Sequence, residues 1–292
     1  MTLILSVLEQ GLIYSIMAMG VYITYKILDF PDMTVDGSFP MGAAIAASMI
    51  SRDLNPVATL PVCFAAGVLV GICTGIIHVR LGVRDLLSGI IMFTGLYSIN
   101  LRIAGKANLP IYNKVTIFEN KLTDALPEAV SDYGKLMIIV LLVVFVKYVL
   151  DWYLRTRSGF LLRAVGDNET IVTAMGVDQG RIKIMGLAIA NGMVAMAGCI
   201  FAQQQRYFDM SMGTGTVVIG LASVIIGTSL FKNASFLRAT SAVVIGSLIY
   251  KACVAVAIRY MDSQDLKLVT AILFLIILVA GRERKRKVKA DA

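Results

Sequence analysis

Long apolar runs alternate with short polar interruptions along the chain, and this pattern predicts membrane-spanning helices. A helix needs about 20 mostly apolar residues to cross a bilayer. Apolar runs, one of them short, lie at 8–28, 41–50, 56–79, 86–104, 134–153, 182–202, 214–231, 239–257 and 265–280. The pattern therefore predicts an all-α, polytopic transmembrane protein with about 8–10 membrane segments.

The composition agrees with a membrane protein and argues against a soluble enzyme. The 292 residues are 58% hydrophobic and 16% charged, whereas soluble domains are about 45–50% apolar and about 25% charged. These values exclude a disordered chain, a disulfide scaffold and collagen-like repeats. The sequence contains no GxxxxGK[ST] motif, so any ATP that this protein uses is expected to be hydrolysed by another chain.

The four cysteines lie inside apolar runs and are not paired with one another or with histidine in the sequence. They are Cys63, Cys73, Cys199 and Cys253. This spacing indicates neither a metal site nor a redox pair, and it is typical of small buried residues. We therefore predict no metal site and no catalytic residue.

The polar stretches predict the sidedness of the chain as one transmembrane domain over residues 1–292. The net charge is +8, and a basic tail at 281–292 directly follows the last apolar run. Such a tail is typical of a cytoplasmic anchor rather than a nucleic-acid-binding segment. Residues 154–181 carry too many charges to cross lipid and are also predicted to be cytoplasmic. The longest loop, 105–133, is then extracellular.

One short apolar stretch leaves the topology open. Residues 37–51 either span the membrane or re-enter it from one side, and hydropathy does not distinguish the two. If they span, the N-terminus is outside; if they re-enter, it is inside.

The charged segment 154–181 contains a predicted short cytoplasmic helix. Residues 170–175 have a helical pattern, Asp167 or Asn168 is a suitable N-cap, and Gly176 is a suitable terminator. An interfacial helix lying on the headgroups is the alternative. The acidic, small-residue composition of the segment argues against it.

Two other polar stretches are candidates for a solute path. Residues 28–37 place three carboxylates and Pro31 between two apolar segments, which fits either a broken helix at a cavity or an ordinary cytoplasmic loop. Residues 85–100 form the most polar span, whose hydroxyl and amide groups serve either a path or helix–helix hydrogen bonds. By helical geometry Thr94, Tyr97 and Ser98 share one face. The candidate path residues are Thr94, Tyr97, Ser98, Asn100, Ser88, Asp32 and Asp36.

Three segments in this order resemble a known family. Residues 163–177, followed by the small-residue helix 184–202, resemble the cytoplasmic coupling segment of the integral-membrane permeases of ABC importers. The similarity is to the branch that includes the branched-chain amino-acid and ribose permeases, whose second signature resembles residues 220–227. Residues 85–103 are similar to a subgroup encoded beside binding proteins of the tryptophan/tyrosine type. The resemblance covers nearly the whole chain.

The resemblance implies an architecture and a set of partners. Permeases of this family are all-helical dimers around a central path in the cell (inner or plasma) membrane. Two ATPase subunits dock from the cytoplasm and a solute-binding protein docks from outside, and nucleic acid is not involved. ATP and Mg are bound by the ATPase, so no cofactor is expected in this chain. The coupling helix maps to Asp167, Asn168, Glu169, Thr170, Ile171, Thr173, Ala174, Met175 and Gly176.

The solute is expected to be an amino acid, aromatic or branched-chain. Sugar permeases of this branch usually have a denser glycine and serine run after the second signature, where this chain has Thr228–Lys232. A sugar or nucleoside ABC permease and an ion-coupled secondary transporter are the alternatives. The latter would favour carboxylates at the membrane midplane, and outside residues 29–36 the spans contain only one charge well inside, Lys251.

Overall fold

The structure is a computed structural model that describes residues 2–119, 128–231, 237–260, 268, 270–272, 274, 275 and 279. The helices are α1 (Thr2–Val21) with a π-helical continuation (Tyr22–Ile27), α2 (Val35–Ser51), α3 (Thr59–Val79), α4 (Asp85–Ala104), α5 (Glu128–Tyr153), α6 (Arg157–Asp167), α7 (Glu169–Ala174), α8 (Gln179–Gln205), a 3-10 helix (Met210–Gly213), α9 (Thr216–Leu230) and α10 (Ala239–Tyr260). Strands β1 (Asn108–Pro110) and β2 (Tyr207–Asp209) pair antiparallel, with Leu109 opposite Phe208.

Seven segments of the described chain are long and apolar enough to cross a membrane. They include α1, α3, α4, α5, α8, α9 and α10. The predicted all-α polytopic fold is therefore confirmed. The helix α2 has 17 residues and is not among these seven segments, and the apolar run 265–280 lies largely outside the described residues.

The long helix α8 is the centre of the bundle and packs against α1, α2 and α3. Its partner α3 approaches it through glycines spaced four residues apart. A Cβ atom on Gly67 or Gly71 would collide with the backbone carbonyl oxygens of Asn191 and Leu187. Membrane helices gain stability from such close backbone contact because lipid supplies no hydrophobic driving force between them. The GxxxG spacing of α3 is therefore used for packing.

The bundle has two ends, here named by their residues. At the loop end, residues 105–119 lie beside the end of α8, where the Arg206 guanidinium donates to the Tyr112 carbonyl at 2.8 Å. At the coupling end lie residues 154–178, next to the start of α8. The helix α8 has 27 residues and is about 40 Å long at 1.5 Å per residue, so the ends are on opposite sides of a bilayer.

The first helix runs from the loop end to the coupling end. Near its start, Glu9 accepts a hydrogen bond from Gln204 at 2.9 Å. At its other end, the carbonyl of Ile27 lies against Gly166 of α6. The N-terminal part of the chain is thus on the same side as residues 105–119, as expected if residues 37–51 belong to a crossing.

Two helices, α2 and α9, begin in the middle of the bundle. The Ser38 hydroxyl donates to Asn191, halfway along α8, at 2.6 Å, and α2 ends near the loop end, where Asp53 binds Lys114 at 2.8 Å. In contrast, α9 runs from the middle towards the coupling end, where Gly227 packs on Ala242. Residues 28–34 and 206–215 complete the two crossings without α-helix, and the second of these segments contains β2 and the 3-10 helix.

Two boundaries differ from the sequence prediction. Helix α5 begins at Glu128, before the apolar run starts at residue 134, because polar residues extend a helix beyond the hydrocarbon without cost. The segment 154–181 contains two helices rather than one, since α6 precedes the predicted short helix.

Replacing Gly71 by alanine tests the α3–α8 contact. The new methyl group meets the Leu187 carbonyl and the Ala188 backbone, so we expect a loss of about 1–3 kcal/mol, the cost of overpacking. Gly95→Ala is the matched control, because nothing lies within 4 Å of its Cβ position and alanine favours a helix by about 0.5–1 kcal/mol. Thermal unfolding of the two purified variants measures the difference. Equal melting temperatures would contradict the packing described.

Candidate functional site

The segment 154–178 forms two short helices that project from the coupling end. The Thr156 hydroxyl caps α6 by accepting from Gly159 N. The chain then breaks at Asn168, whose backbone is extended (φ −160°) and whose side chain accepts from Thr170 N at 3.0 Å to cap α7. After α7, Gly176 adopts a left-handed φ of +77°, a conformation that glycine takes without strain. Local sequence therefore determines where α7 begins and ends.

The outer side of this segment is exposed to solvent. Val172 is buried and anchors α7, whereas Met175 is 72% exposed. Glu169 forms an ion pair with Lys183 of α8 at 2.7 Å, which ties α7 to the long central helix. The exposed residues of the predicted coupling helix are Asp167, Asn168, Glu169, Thr170, Thr173, Ala174, Met175 and Gly176.

The predicted coupling helix spans a helix break rather than one helix. Asp167 is the last residue of α6, and Met175 and Gly176 follow the end of α7. The additional helix α6 was missed, although its signal is in the sequence: Thr156 is a good N-cap, and Leu162 and Val165 form a buried pair at i, i+3.

The polar face predicted for α4 is exposed. Thr94, Tyr97 and Ser98 all lie on the outer side of this helix, and Tyr97 is 50% exposed. The Thr94 hydroxyl donates to the Ile90 carbonyl within its own helix at 2.9 Å. The face is therefore free to meet lipid, a solute or another subunit.

Ser88 and Asn100 lie on the opposite, buried side of α4. The Ser88 hydroxyl donates to the Asp85 carbonyl at 2.6 Å, and the Asn100 amide donates to the Gly37 carbonyl at 3.1 Å. The Asn100 carbonyl oxygen has no partner in the described structure. Asn100 attaches α4 to α2, whereas the Ser88 bond lies within α4. The structure therefore does not bring these two side chains together with Thr94, Tyr97 and Ser98.

Asp32 belongs to a buried hydrogen-bond network at the middle of α8. Its carboxylate accepts from Thr34 N at 2.8 Å and from the Asn191 amide at 2.8 Å. Asn191 in turn accepts from Ser38, and Thr34 contacts the Thr74 hydroxyl of α3 at 3.1 Å. The network fixes the non-helical residues 28–34 against α3 and α8.

Asp36 joins the two helices that begin in the middle of the bundle. Although it lies in α2, its carboxylate accepts from Gly215 N at 3.1 Å, from the Thr216 hydroxyl at 2.9 Å and from Val217 N at 2.8 Å. These donors form the start of α9, where backbone N–H groups have no partner within the helix. The carboxylate also complements the positive end of the helix dipole.

The interruption at residues 28–37 is thus a broken membrane crossing, one of the two interpretations that the sequence left open. Sequence reasoning did not single out Asn191, which bonds both Asp32 and Ser38. A signal was available, since Asn191 is a lone amide among the small and apolar residues at the centre of α8. Among the described residues no group of three His, Cys, Asp or Glu side chains is arranged to hold a metal ion.

Apolar crossings, two broken helices and a projecting helical segment together define a multi-pass membrane protein. The family model described as branched-chain amino acid transport system / permease component matches residues 3–280, and the chain belongs to this family. The resemblance inferred from the sequence is confirmed. The protein is a transport component rather than an enzyme.

Individual relatives transport different solutes according to their names. A tyrosine transport system permease protein of Clostridioides difficile is 43% identical over 280 residues, covering 95% of this chain and 91% of that protein. A ribose import permease protein of Haemophilus influenzae is 25% identical over 252 residues, covering 84% and 74%. A fructose import permease protein of Bifidobacterium longum is 22% identical, covering 99% and 83%. No solved structure matches the chain at a significant level.

Substitution of Asp36 tests the junction between α2 and α9. Asp36→Ala removes the acceptor for three donors, and we expect a loss of about 2–4 kcal/mol from a missing cap and unsatisfied donors. Asp36→Asn keeps one oxygen acceptor and should lose less. Thermal unfolding in detergent measures both.

A matched control is Asp85→Ala, since among the described residues that carboxylate accepts only from the exposed Leu86 N. It should unfold close to the parent temperature. If Asp36→Ala is as stable as Asp85→Ala, the carboxylate does not hold the two helices together.

Proposed function

We propose that this chain is the transmembrane subunit of an ATP-driven importer for an amino acid, with aromatic amino acids as the first candidates. A separate ATPase docks on the coupling segment, and a separate binding protein delivers the solute. The observation that supports this most is the pair α6–α7, two short capped helices that project from the coupling end with their polar residues exposed.

The proposed energy transfer runs through α7 into α8. Glu169 is bound to Lys183 at 2.7 Å, and α8 contacts α1, α2 and α3. A movement of α7 is therefore passed to the helix on which the centre of the bundle packs. The ATPase must contact α7 differently in its two states, because a contact that is equal in both states shifts no equilibrium.

The proposed solute path lies along the exposed face of α4, between two copies of the chain in a homodimer. A zwitterionic solute that leaves water loses hydrogen bonds worth several kcal/mol unless other groups replace them. Thr94, Tyr97 and Ser98 supply such groups without a fixed charge that would retain the solute. Asp32 and Asp36 do not face this path directly: they hold the backbone behind it. The C-terminal tail is cytoplasmic in this arrangement.

A different solute, a sugar, and a different energy source, an ion gradient, each have support from one observation. Relatives named for ribose and fructose import are more distant but cover most of the chain, which favours a sugar as the alternative solute. The carboxylate of Asp32, buried near the middle of α8 among neutral partners, is the feature that an ion-coupled secondary transporter would use.

Reconstitution separates these possibilities. The chain is co-expressed with a candidate ATPase and a candidate binding protein of this family of importers, and uptake of labelled tyrosine, leucine and ribose is measured in proteoliposomes. We expect tyrosine uptake that requires ATP and the binding protein and that an ionophore does not reduce. Uptake of ribose but of neither amino acid would show that the chain is a sugar permease. Uptake without ATP that collapses with the ion gradient would overturn the ATP-driven mechanism.

Ala174→Arg tests the coupling helix. A long charged side chain at this exposed small residue would be forced into the ATPase contact, at a cost of about 1–3 kcal/mol. We expect normal membrane insertion but weak ATPase binding in pull-down and loss of stimulated ATP hydrolysis. Leu81→Arg, an exposed position (70%) at the same end but outside the segment, should bind the ATPase normally. Unchanged transport by Ala174→Arg would contradict the assignment of this segment as the docking site of the ATPase.

Thr94→Trp tests the path. The indole fills the space beside α4, so solute uptake should be lost while dimer assembly and basal ATP hydrolysis persist. Leu141→Trp is the control, because Leu141 is 66% exposed within the α5 span and outside the proposed path. Equal uptake by both variants would mean that α4 faces lipid or a packing partner.

A further inference from the structure

The outer face of α6 carries two arginines with an aromatic residue between them. Arg157, Phe160 and Arg163 are all exposed, and the exposed fraction of Phe160 is 60%. Residues three positions apart are neighbours on the surface of a helix, so these side chains form one stripe. The buried residues of α6 lie on the opposite side of the helix: Gly159, Leu162 and Val165.

The buried side of α6 packs on the bundle at the boundary of the hydrocarbon. A Cβ atom on Gly186 of α8 would meet the Leu162 side chain, and one on Gly166 would collide with the Ile27 carbonyl. Gly186 lies about 28 Å along α8 from Gln205 at 1.5 Å per residue, and the hydrocarbon of a bilayer is about 30 Å thick. The outer face of α6 therefore points away from the bundle at the depth of the headgroups.

Aromatic residues at the end of α5 indicate the same depth. Tyr148 and Trp152 lie one turn apart and are 71% and 63% exposed, and the α5 span ends at Tyr153. Tryptophan and tyrosine are enriched where a membrane meets water. Gly159 packs on the Tyr153 carbonyl, so the exposed ring of Phe160 follows directly on those of α5.

The positive charge of this face is not neutralised within the described part of the chain. Arg157 and Arg163 form no ion pair with a described acidic residue, and the same holds for the exposed Arg155. Acidic residues begin only at Asp167, the last residue of α6, and at Glu169 in α7. Guanidinium groups bind phosphate through two parallel hydrogen bonds, so the face suits a phosphate-bearing partner.

We propose that the outer face of α6 binds the headgroups of anionic phospholipids in the leaflet at the coupling end. Arg157 and Arg163 contact the phosphates, and Phe160 lies between headgroups and acyl chains. Basic and aromatic residues together are typical of helices that bind an anionic membrane surface.

A protein partner from the cytoplasm fits α7 better than the outer face of α6. Glu169 ties α7 to Lys183, which is nearer the start of α8 than Gly186 and therefore further from the hydrocarbon. The coupling segment is thus divided between lipid at α6 and water at α7. This division depends neither on the transported solute nor on the energy source.

Lipid titration of the purified full-length protein tests the proposal. A ligand that binds only the folded state raises the unfolding temperature. In neutral detergent we expect phosphatidylglycerol to raise the melting temperature, and phosphatidylcholine and inorganic phosphate at equal concentrations not to raise it. Equal stabilisation by phosphatidylcholine or by inorganic phosphate, or none by phosphatidylglycerol, would overturn the proposal.

Charge-matched variants locate the lipid site. In Arg157→Gln/Arg163→Gln we expect the affinity for phosphatidylglycerol to fall about thirtyfold, because two cationic side chains near the lipid surface are lost. Arg80→Gln/Arg84→Gln removes the same charge at the same end, where no aromatic residue lies between the two positions, and should keep the parent affinity. The basic tail is identical in all variants, so its attraction for lipid cancels. Equal losses in both double variants would overturn the proposal.

Two further measurements separate lipid binding from general charge and from ATPase docking. Phe160→Ala should weaken phosphatidylglycerol binding without a change of charge, whereas Leu81→Ala, exposed at the same end, should not. Arg157→Gln/Arg163→Gln should still bind a candidate ATPase of this family of importers in pull-down. Loss of ATPase binding with unchanged stabilisation by phosphatidylglycerol would assign the face to the ATPase and overturn the proposal.

Discussion

The arrangement of this protein depends on the hydrogen bonds between the Asp36 carboxylate and the start of α9. Inside a membrane, every backbone N–H that leaves a helix must find a partner within the protein. Two crossings of this chain are interrupted at the same depth. One interruption provides a hydrogen-bond acceptor, and the other provides donors that have no partner within their own helix. The carboxylate of α2 accepts from Gly215, Thr216 and Val217, so two half-helices are tolerated where neither would be stable alone.

The central helix α8 connects this junction with the rest of the molecule. Its middle residue Asn191 bonds to Asp32 and Ser38, its start is tied to α7 through Lys183, and Gln203 near its far end accepts from Ile117 N. Because α3 packs on it by backbone contact at glycines, α8 cannot shift without moving its neighbours. A movement at the coupling end would therefore be transmitted along one rigid element towards the loop end.

The local geometry of the candidate residues could be predicted from the sequence, whereas their roles in coupling and in the solute path stay predictions. The helical period placed Thr94, Tyr97 and Ser98 on one face, and the structure exposes that face. Asn168 and Gly176 delimit α7 because capping depends on neighbouring backbone groups. Prediction was less complete where a side chain acts on a distant element: neither the bonds of Asp36 to α9 nor the role of Asn191 follows from local spacing.

The sequence by itself determined the membrane class, the apolar crossings and the family, because hydrophobic length and short motifs depend on residues close together in the chain. Only the tertiary structure decided how residues 28–37 are used and that the N-terminal part lies on the same side as residues 105–119. These properties depend on contacts between residues more than 100 positions apart. Such contacts arise from antiparallel helix packing, which a linear pattern of polar and apolar residues does not encode.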